Sequence, residues 1–144
     1  MGTRAVVLIH HLGIDSEILS RVYFQYDGYP TGVGKEIFDK FKEFKVGNGI
    51  NFSDPEPYAN GMGCFGAQFV SAMKDGPGGV YLSISESEQY VYHLYIEDKG
   101  RFYDFGVDKS YFPICMSVET GPGEIWRGKL EDFDAQELED QMYE

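Results

Sequence analysis

The connection at residues 26–34 constrains the fold of this chain more than any other stretch. It reads Tyr-Asp-Gly-Tyr-Pro-Thr-Gly-Val-Gly and lies between a strand-like run and a helix-like run. Pro30 cannot donate a main-chain hydrogen bond and keeps the residue before it extended, so the strand must end here. The three glycines permit close approach of another backbone or of a ligand. The pattern therefore predicts a tight connection that leads directly into a helix.

Two helices are predicted from apolar residues that recur every three or four positions. The first helix is expected over residues 32–44 and ends before a pair of glycines, and the second is expected over residues 61–74. Each helix presents one apolar face, which must be buried against another element. The apolar faces consist of Val33, Ile37, Phe41 and Phe44 in the first helix and Met62, Phe65, Phe69 and Met73 in the second.

The remaining apolar runs are short, rich in β-branched and aromatic residues, and separated by turn residues. Two of them, residues 5–11 and 18–26, flank a polar break and predict a hairpin. Because strands and helices are segregated along the chain, their order predicts the α+β class. We expect a single antiparallel sheet of about six to seven strands, with two helices packed on one face. The later runs are 80–84, 89–97, 101–107, 113–119 and 124–130.

The 144 residues fit a single domain at residues 1–130, followed by an acidic C-terminal tail at residues 131–144. The tail contains seven acidic residues and no basic residue. Its few apolar residues predict a short helix or a frayed end, and we expect this segment to lie outside the core.

The charge balance limits the partners of the chain. Asp and Glu total 24 and Lys and Arg total 12, which gives a formal net charge of −12. Such a charge repels nucleic acid, so we expect no direct nucleic-acid binding. It suits either solubility alone or a basic protein surface as partner.

Two cysteines, Cys64 and Cys115, do not make a disulfide framework, and no apolar run is long enough to cross a membrane. We expect a cytoplasmic protein without membrane contact.

The N-terminal part of the chain, roughly residues 1–40, carries a specific signature. Met1-Gly-Thr-Arg4 opens a strand, and Tyr23-Phe-Gln-Tyr-Asp-Gly-Tyr-Pro-Thr-Gly-Val-Gly34 leads into a helix. This part resembles a widespread family of small proteins, from cellular genomes and phages, that begin Met-Gly-Thr-Arg and carry a Tyr-x-x-(Trp/Tyr)-Asp-(Gly/Ser)-Tyr-Pro-x-Gly-x-Gly motif. Residues 89–97 resemble a later tyrosine-rich strand of that family, whereas Ala5 departs from the glycine of many members. The family is uncharacterised, so the resemblance implies no chemistry. Its phage members suggest an anti-defence or regulatory role by analogy.

The special residues of the 26–34 connection are the best candidates for a ligand site, although they also suit a purely structural turn. Asp27 is expected to accept hydrogen bonds while a neighbouring tyrosine stacks on a flat group. Glycine-rich segments precede both predicted helices, and N–H groups at a helix N-terminus favour an anion, so we expect a shared anion pocket. An arginine would pair either with Asp27 or with a phosphate. The predicted ligand-binding residues are Arg4, Arg21, Tyr26, Asp27, Tyr29, Gly32, Gly34, Gly61 and Gly63.

No catalytic or metal-binding motif accompanies these residues. His10 and His11 are adjacent on a predicted strand and face opposite sides, so they do not form a metal site together. We therefore predict no catalytic residue, no metal and no cofactor. The preferred hypothesis is a non-catalytic protein that binds a small anionic or nucleotide-like ligand.

Two alternatives stay open. One is an acidic inhibitor that occupies a basic protein surface. The other is a small enzyme acting on a nucleotide or phosphorylated substrate, with Asp27 as base and Arg21 as charge stabiliser. The sequence also leaves open whether the protein is a homodimer.

Overall fold

The computed structural model describes residues 2–104 and 108–143. Nine strands form a six-stranded sheet and a separate three-stranded sheet within this part of the chain, which together with the helices confirms the α+β class. The strands are β1 (Ala5–His10), β2 (Ile18–Phe24), β3 (Lys45–Gly47), β4 (Tyr58–Asn60), β5 (Val80–Leu82), β6 (Tyr90–Tyr95), β7 (Phe112–Pro113), β8 (Cys115–Thr120) and β9 (Gly123–Lys129).

The six-stranded sheet has the order β5-β2-β1-β6-β8-β9 and is mixed, so the prediction of a purely antiparallel sheet is wrong. The predicted β1–β2 hairpin is confirmed, but β1 and β6 run parallel. The connection at residues 83–89 leaves β5 at the sheet edge and enters β6 beyond β1, so it passes over β2 and β1. Arg21 of β2 holds this crossover through an ion pair with Glu86 at 2.6 Å. Short apolar runs do not reveal which neighbour each strand pairs with, and the parallel pair was missed for that reason.

The prediction of a single sheet is also wrong, because three short strands form a second sheet in the order β4-β3-β7. These strands are two or three residues long, which is too short for an alternating apolar pattern to show. The predicted strand at residues 101–107 is absent from the described part of that range. Residues 101–104 contain a turn and no strand, and residues 105–107 lie outside the described residues.

The described residues form three α-helices, α1 (Lys35–Phe41), α2 (Gly61–Met73) and α3 (Ala135–Met142). The predicted second helix is confirmed, whereas the first begins later because Pro30–Gly34 adopts one π-helical turn. Ring centroids of Phe41 and Phe69 lie 5.1 Å apart, and those of Phe69 and Phe24 lie 6.3 Å apart. These contacts join α1, α2 and the sheet in one apolar core. In the part of the chain that the structure describes, no helix is long and apolar enough to span a membrane.

The acidic tail contributes to this core, contrary to the expectation that it would lie outside. Phe133 and Leu138 are each 4 % exposed and belong to the same apolar cluster as the sheet. Trp126 of β9 packs edge-on against Phe133, with ring centroids 4.9 Å apart. Asp134 caps α3 by accepting a hydrogen bond from the Glu137 N–H at 3.0 Å. Five of the seven acidic residues face solvent, so their number concealed a narrow apolar stripe that docks on the domain.

Candidate binding surface

The backbone of the 26–34 connection folds tightly onto itself. Asp27 has a positive φ of 57°, and its carbonyl oxygen accepts a hydrogen bond from the Val33 N–H at 2.8 Å. A Cβ atom on Gly32 would lie 2.0 Å from that same carbonyl oxygen, which no side chain can tolerate. The glycine at position 32 is therefore required by close approach of the chain to itself.

Two further glycines of this segment admit neighbouring elements. A Cβ atom on Gly28 would lie 2.8 Å from the Ala5 Cβ, and one on Gly34 would lie 3.3 Å from the rings of Phe133 and Tyr92. The buried Tyr92 hydroxyl donates a hydrogen bond to the Gly28 carbonyl oxygen at 2.7 Å. The predicted close approach is thus real at these positions, and the groups that approach belong to β1, β6 and the tail.

The polar and aromatic side chains of the connection stay accessible. The Tyr26 side chain is 58 % exposed, and the Tyr29 hydroxyl donates a hydrogen bond to the Asp27 carboxylate at 3.2 Å. This hydrogen bond and the carboxylate charge raise the pKa of Tyr29, because they stabilise the protonated phenol. Tyr26, Asp27 and Gly32 also line a depression of about 230 Å³ together with Glu36. A second carboxylate in this depression favours a cationic or hydrogen-bond-donating group over an anion.

The position predicted for an anion is occupied by a carboxylate of the chain itself. Glu139 of α3 accepts two hydrogen bonds from Thr31, one from the backbone N–H at 3.2 Å and one from the hydroxyl at 2.9 Å. Lys35 is the first residue after the 26–34 connection, and its ammonium pairs with Asp39 at 3.1 Å. The acidic tail and the glycine-rich connection, which the sequence presents as separate features, therefore form one surface.

A groove of about 380 Å³ lies where these two segments meet. Its floor is mainly apolar, and its rim carries the Asp134 carboxylate. Several carboxylates of the surrounding segment face solvent, among them Glu131, Glu137 and Asp140. The groove combines an apolar floor with negative charge nearby. The lining residues are Thr31, Lys35, Phe38, Phe133, Asp134, Ala135 and Gln136.

The remaining predicted residues are only partly brought to this surface. The backbone of Arg4 lies against Gly28, and its N–H donates a hydrogen bond to the Gln89 side chain at 2.8 Å. Arg21 pairs with Glu86 on the crossover and does not pair with Asp27. Gly61 begins α2 with a φ of +80°, and Gly63 lines a different groove beside β5. The expectation that both glycine-rich segments share one anion pocket is therefore not supported by their placement.

A partly buried chain of hydrogen bonds on the sheet was missed by the sequence reasoning. His10 Nδ1 lies 3.2 Å from the Ser16 carbonyl oxygen, and His10 Nε2 lies 2.8 Å from His93 Nδ1. His93 Nε2 in turn lies 2.6 Å from Glu119 Oε1. These residues share the sheet face of Val6 and Leu8, which form an apolar cluster separate from the main core. The parallel β1–β6 pair brings the two histidines together, and no sequence signal predicted that pair.

The partners define where protons lie along this chain. A carbonyl oxygen only accepts, so His10 Nδ1 carries a proton and neutral His10 accepts from His93 through Nε2. Burial, opposed by the Ser16 hydrogen bond and aided by the nearby His93, lowers the pKa of His10 and favours this neutral form. His93 Nε2 is engaged by the Glu119 carboxylate. With their nitrogen atoms engaged in this way, the two histidines do not present a metal site. Among the described residues, no group of three or more His, Cys, Asp or Glu side chains is arranged to hold a metal ion.

Comparisons of this chain with protein-family models, with curated proteins and with solved structures found no match.

Proposed function

We propose that this protein is a non-catalytic binding module that recognises a basic segment of a partner protein carrying an apolar anchor residue. The proposal rests on the two Glu139–Thr31 hydrogen bonds. They join the acidic helix α3 to the 26–34 connection, and the apolar groove lies where these two segments meet. A non-catalytic module of this kind is compatible with the anti-defence or regulatory role suggested by the resemblance.

The chemistry of the groove defines the segment that would bind there. Phe38, Phe133 and Ala135 offer an apolar floor for an aliphatic or aromatic side chain. Asp134 and the nearby exposed carboxylates would pair with lysine or arginine residues flanking that anchor. Long-range attraction by a chain of net charge −12 would accelerate the encounter with a basic partner.

A small anionic or nucleotide-like ligand is the alternative, and the Glu139 carboxylate disfavours it. An anion at Thr31 would have to displace a carboxylate that already accepts both available hydrogen bonds. The ammonium of Lys35 is also paired within α1. The enzyme alternative needs Asp27 beside Arg21, and Arg21 instead forms its ion pair with Glu86.

Calorimetric titration with a synthetic amphipathic peptide of lysine and leucine tests the proposal, with inorganic phosphate and ATP as anionic probes. We expect the peptide to bind, and to bind more weakly as salt rises from about 0.05 M to about 0.2 M, because the Debye length shortens over this range. The double variant Asp134→Asn with Glu137→Gln should weaken peptide binding about fivefold or more. Asparagine at position 134 still caps α3, so the helix is retained.

The matched control is the double variant Asp15→Asn with Glu17→Gln. It makes the same change in net charge at two exposed positions in the β1–β2 hairpin. If both double variants weaken the peptide equally, charge acts diffusely and the groove is not the site. If phosphate or ATP binds and the peptide does not, the anionic-ligand alternative replaces the proposal.

A further inference from the structure

Strand β5 lies at one edge of the six-stranded sheet, where it pairs with β2 on one side and, among the described residues, is open on the other. In the antiparallel β2–β5 pair, the Gln25 N–H donates to the Gly79 carbonyl oxygen and the Ser83 N–H donates to the Arg21 carbonyl oxygen, both at 2.9 Å. Main-chain groups alternate in direction along a strand, so residues 79 and 83 face β2 and Leu82 faces the other way. Leu82 therefore directs its N–H and C=O towards the open edge of the six-stranded sheet.

The side chain of Lys74 covers the open edge at the beginning of β5. The Lys74 ammonium donates hydrogen bonds to the Gly78 carbonyl oxygen at 3.0 Å and to the Val80 carbonyl oxygen at 2.6 Å. A lysine at a sheet edge is a common protection against pairing with another chain. Here the protection covers Val80 and stops before Leu82.

The unprotected section is apolar and uncharged. Leu82 is 73 % exposed and Ile84 is 97 % exposed, which is unusual for two large aliphatic residues so close in sequence. Beside them lies a groove of about 480 Å³ whose floor includes the small residues Gly63, Gly66 and Ala67 of α2. Residues 76–85 and the residues lining this groove include no charged side chain. On a chain of net charge −12, this strip is a place where a like-charged molecule can approach without direct repulsion.

We propose that β5 pairs with the same strand of a second copy of this chain, antiparallel about a two-fold axis near Leu82. Leu82 in each copy would then exchange main-chain hydrogen bonds with its equivalent, and Ile84 would approach the groove of the other copy. A second copy fits this edge better than a basic partner, because a basic segment would find no carboxylate along the strip. A two-fold contact also pairs the open β5 edge of one copy with that of the other, so the contact closes at a dimer.

The dependence on salt concentration distinguishes this dimer contact from the binding of a basic partner. Two copies of an acidic protein repel one another, and added salt screens that repulsion within a Debye length of about 8 Å at physiological ionic strength. Dimer formation should therefore strengthen as salt rises. Binding of a basic segment at α3 should weaken over the same range, so failure of one proposal does not imply failure of the other.

Sedimentation velocity of the full chain tests the dimer, from about 10 µM to about 1 mM protein and at about 0.05 M and 0.5 M salt. We expect a monomer–dimer equilibrium that shifts towards dimer at high salt. Ile84→Lys should raise the dimer dissociation constant at least about tenfold, because it places an ammonium where the apolar Ile84 side chain would be buried against the groove of the other copy. Its melting temperature should stay close to that of the wild type, since Ile84 is almost fully exposed.

The matched control is Phe52→Lys, which adds the same charge at another fully exposed apolar residue, in the loop between β3 and β4. This variant should dimerise like the wild type. A wild-type chain that stays monomeric at high salt and the highest concentration overturns the proposal. Loss of the dimer in Phe52→Lys but not in Ile84→Lys also overturns it, because the contact would then lie at the loop between β3 and β4.

Discussion

The two glycine-rich segments, residues 31–34 and 60–66, look alike in sequence and differ in three dimensions. In the first, Gly32 and Gly34 are in close contact with the Asp27 carbonyl oxygen and with the ring of Phe133. In the second, a Cβ atom on Gly63 would meet no atom of the described residues within 4 Å, and only Gly61 needs its glycine for a φ of +80°. The first segment is a packing junction at each of its glycines, whereas Gly61 and Gly63 of the second have space for a Cβ atom.

This difference shows what a cluster of glycines does and does not indicate. Both segments precede a helix, and the electrostatic argument for an anion applies equally to both. In the first segment, the Glu139 carboxylate of the chain itself accepts the hydrogen bond that was predicted for an anion. In the second segment, the Asn60 side chain accepts a hydrogen bond from the Gly49 N–H at 2.7 Å and so contacts a neighbouring loop. Glycine marks a place of close approach or unusual backbone, and the approaching group can belong to the protein itself.

Replacement of Gly32 by alanine should give the largest effect on stability. The new methyl group would lie 2.0 Å from the Asp27 carbonyl oxygen, so the connection must open. We expect a loss of more than about 4 kcal/mol in the free energy of unfolding, or a chain that does not fold. Urea denaturation followed by circular dichroism measures this loss. A loss below about 1 kcal/mol would show that the junction is loose.

Removal of residues 135–144 should have the next largest effect, since it exposes the part of the junction that α3 covers. The deletion removes the buried side chains of Ala135 and Leu138 and the Glu139 contacts with Thr31. We expect a loss of about 3 kcal/mol and a clear fall in melting temperature. Deletion of residues 143 and 144 alone is the control and should change little, because Tyr143 is 79 % exposed. Equal melting temperatures for the two deletions would mean that the tail does not support the junction.

A single substitution isolates the hydrogen bonds between Glu139 and Thr31. Glu139→Ala should lower the free energy of unfolding by about 1–2 kcal/mol, because the Thr31 N–H and hydroxyl lose their acceptor. Glu139→Gln should lose less, since its amide oxygen can still accept one of the two hydrogen bonds. The control is Glu137→Ala on the exposed side of α3. If all three variants are equally stable, Glu139 does not hold the predicted anion position.

The smallest effect is expected at Gly63, with the opposite sign. Gly63→Ala should raise the free energy of unfolding by about 0.5–1 kcal/mol, because alanine favours the helix and its methyl group has open space around it. Gly61→Ala should lower it, because a side chain at φ +80° is strained. Thermal denaturation of both variants checks the two signs. Destabilisation by Gly63→Ala would indicate that the second segment is also packed.

The candidate site was predicted only in its central part. Tyr26, Asp27, Tyr29, Gly32 and Gly34 lie together because they are neighbours in sequence and the backbone closes on itself there. The Arg21–Glu86 pair, the histidine chain and the Glu139–Thr31 contact join residues 65, 83 and 108 positions apart. No local pattern predicts such pairs, since each depends on how the strands and helices are arranged.

The sequence by itself determined the α+β class, the β1–β2 hairpin, the span of α2 and the location of the tight connection. These follow from apolar periodicity and from the backbone limits of proline and glycine, which act over a few residues. Only the tertiary structure decided that β1 and β6 run parallel, that a second sheet forms, and that the acidic tail docks on the 26–34 connection. Those outcomes depend on which apolar faces bury one another, and many pairings of short strands are compatible with the same local pattern.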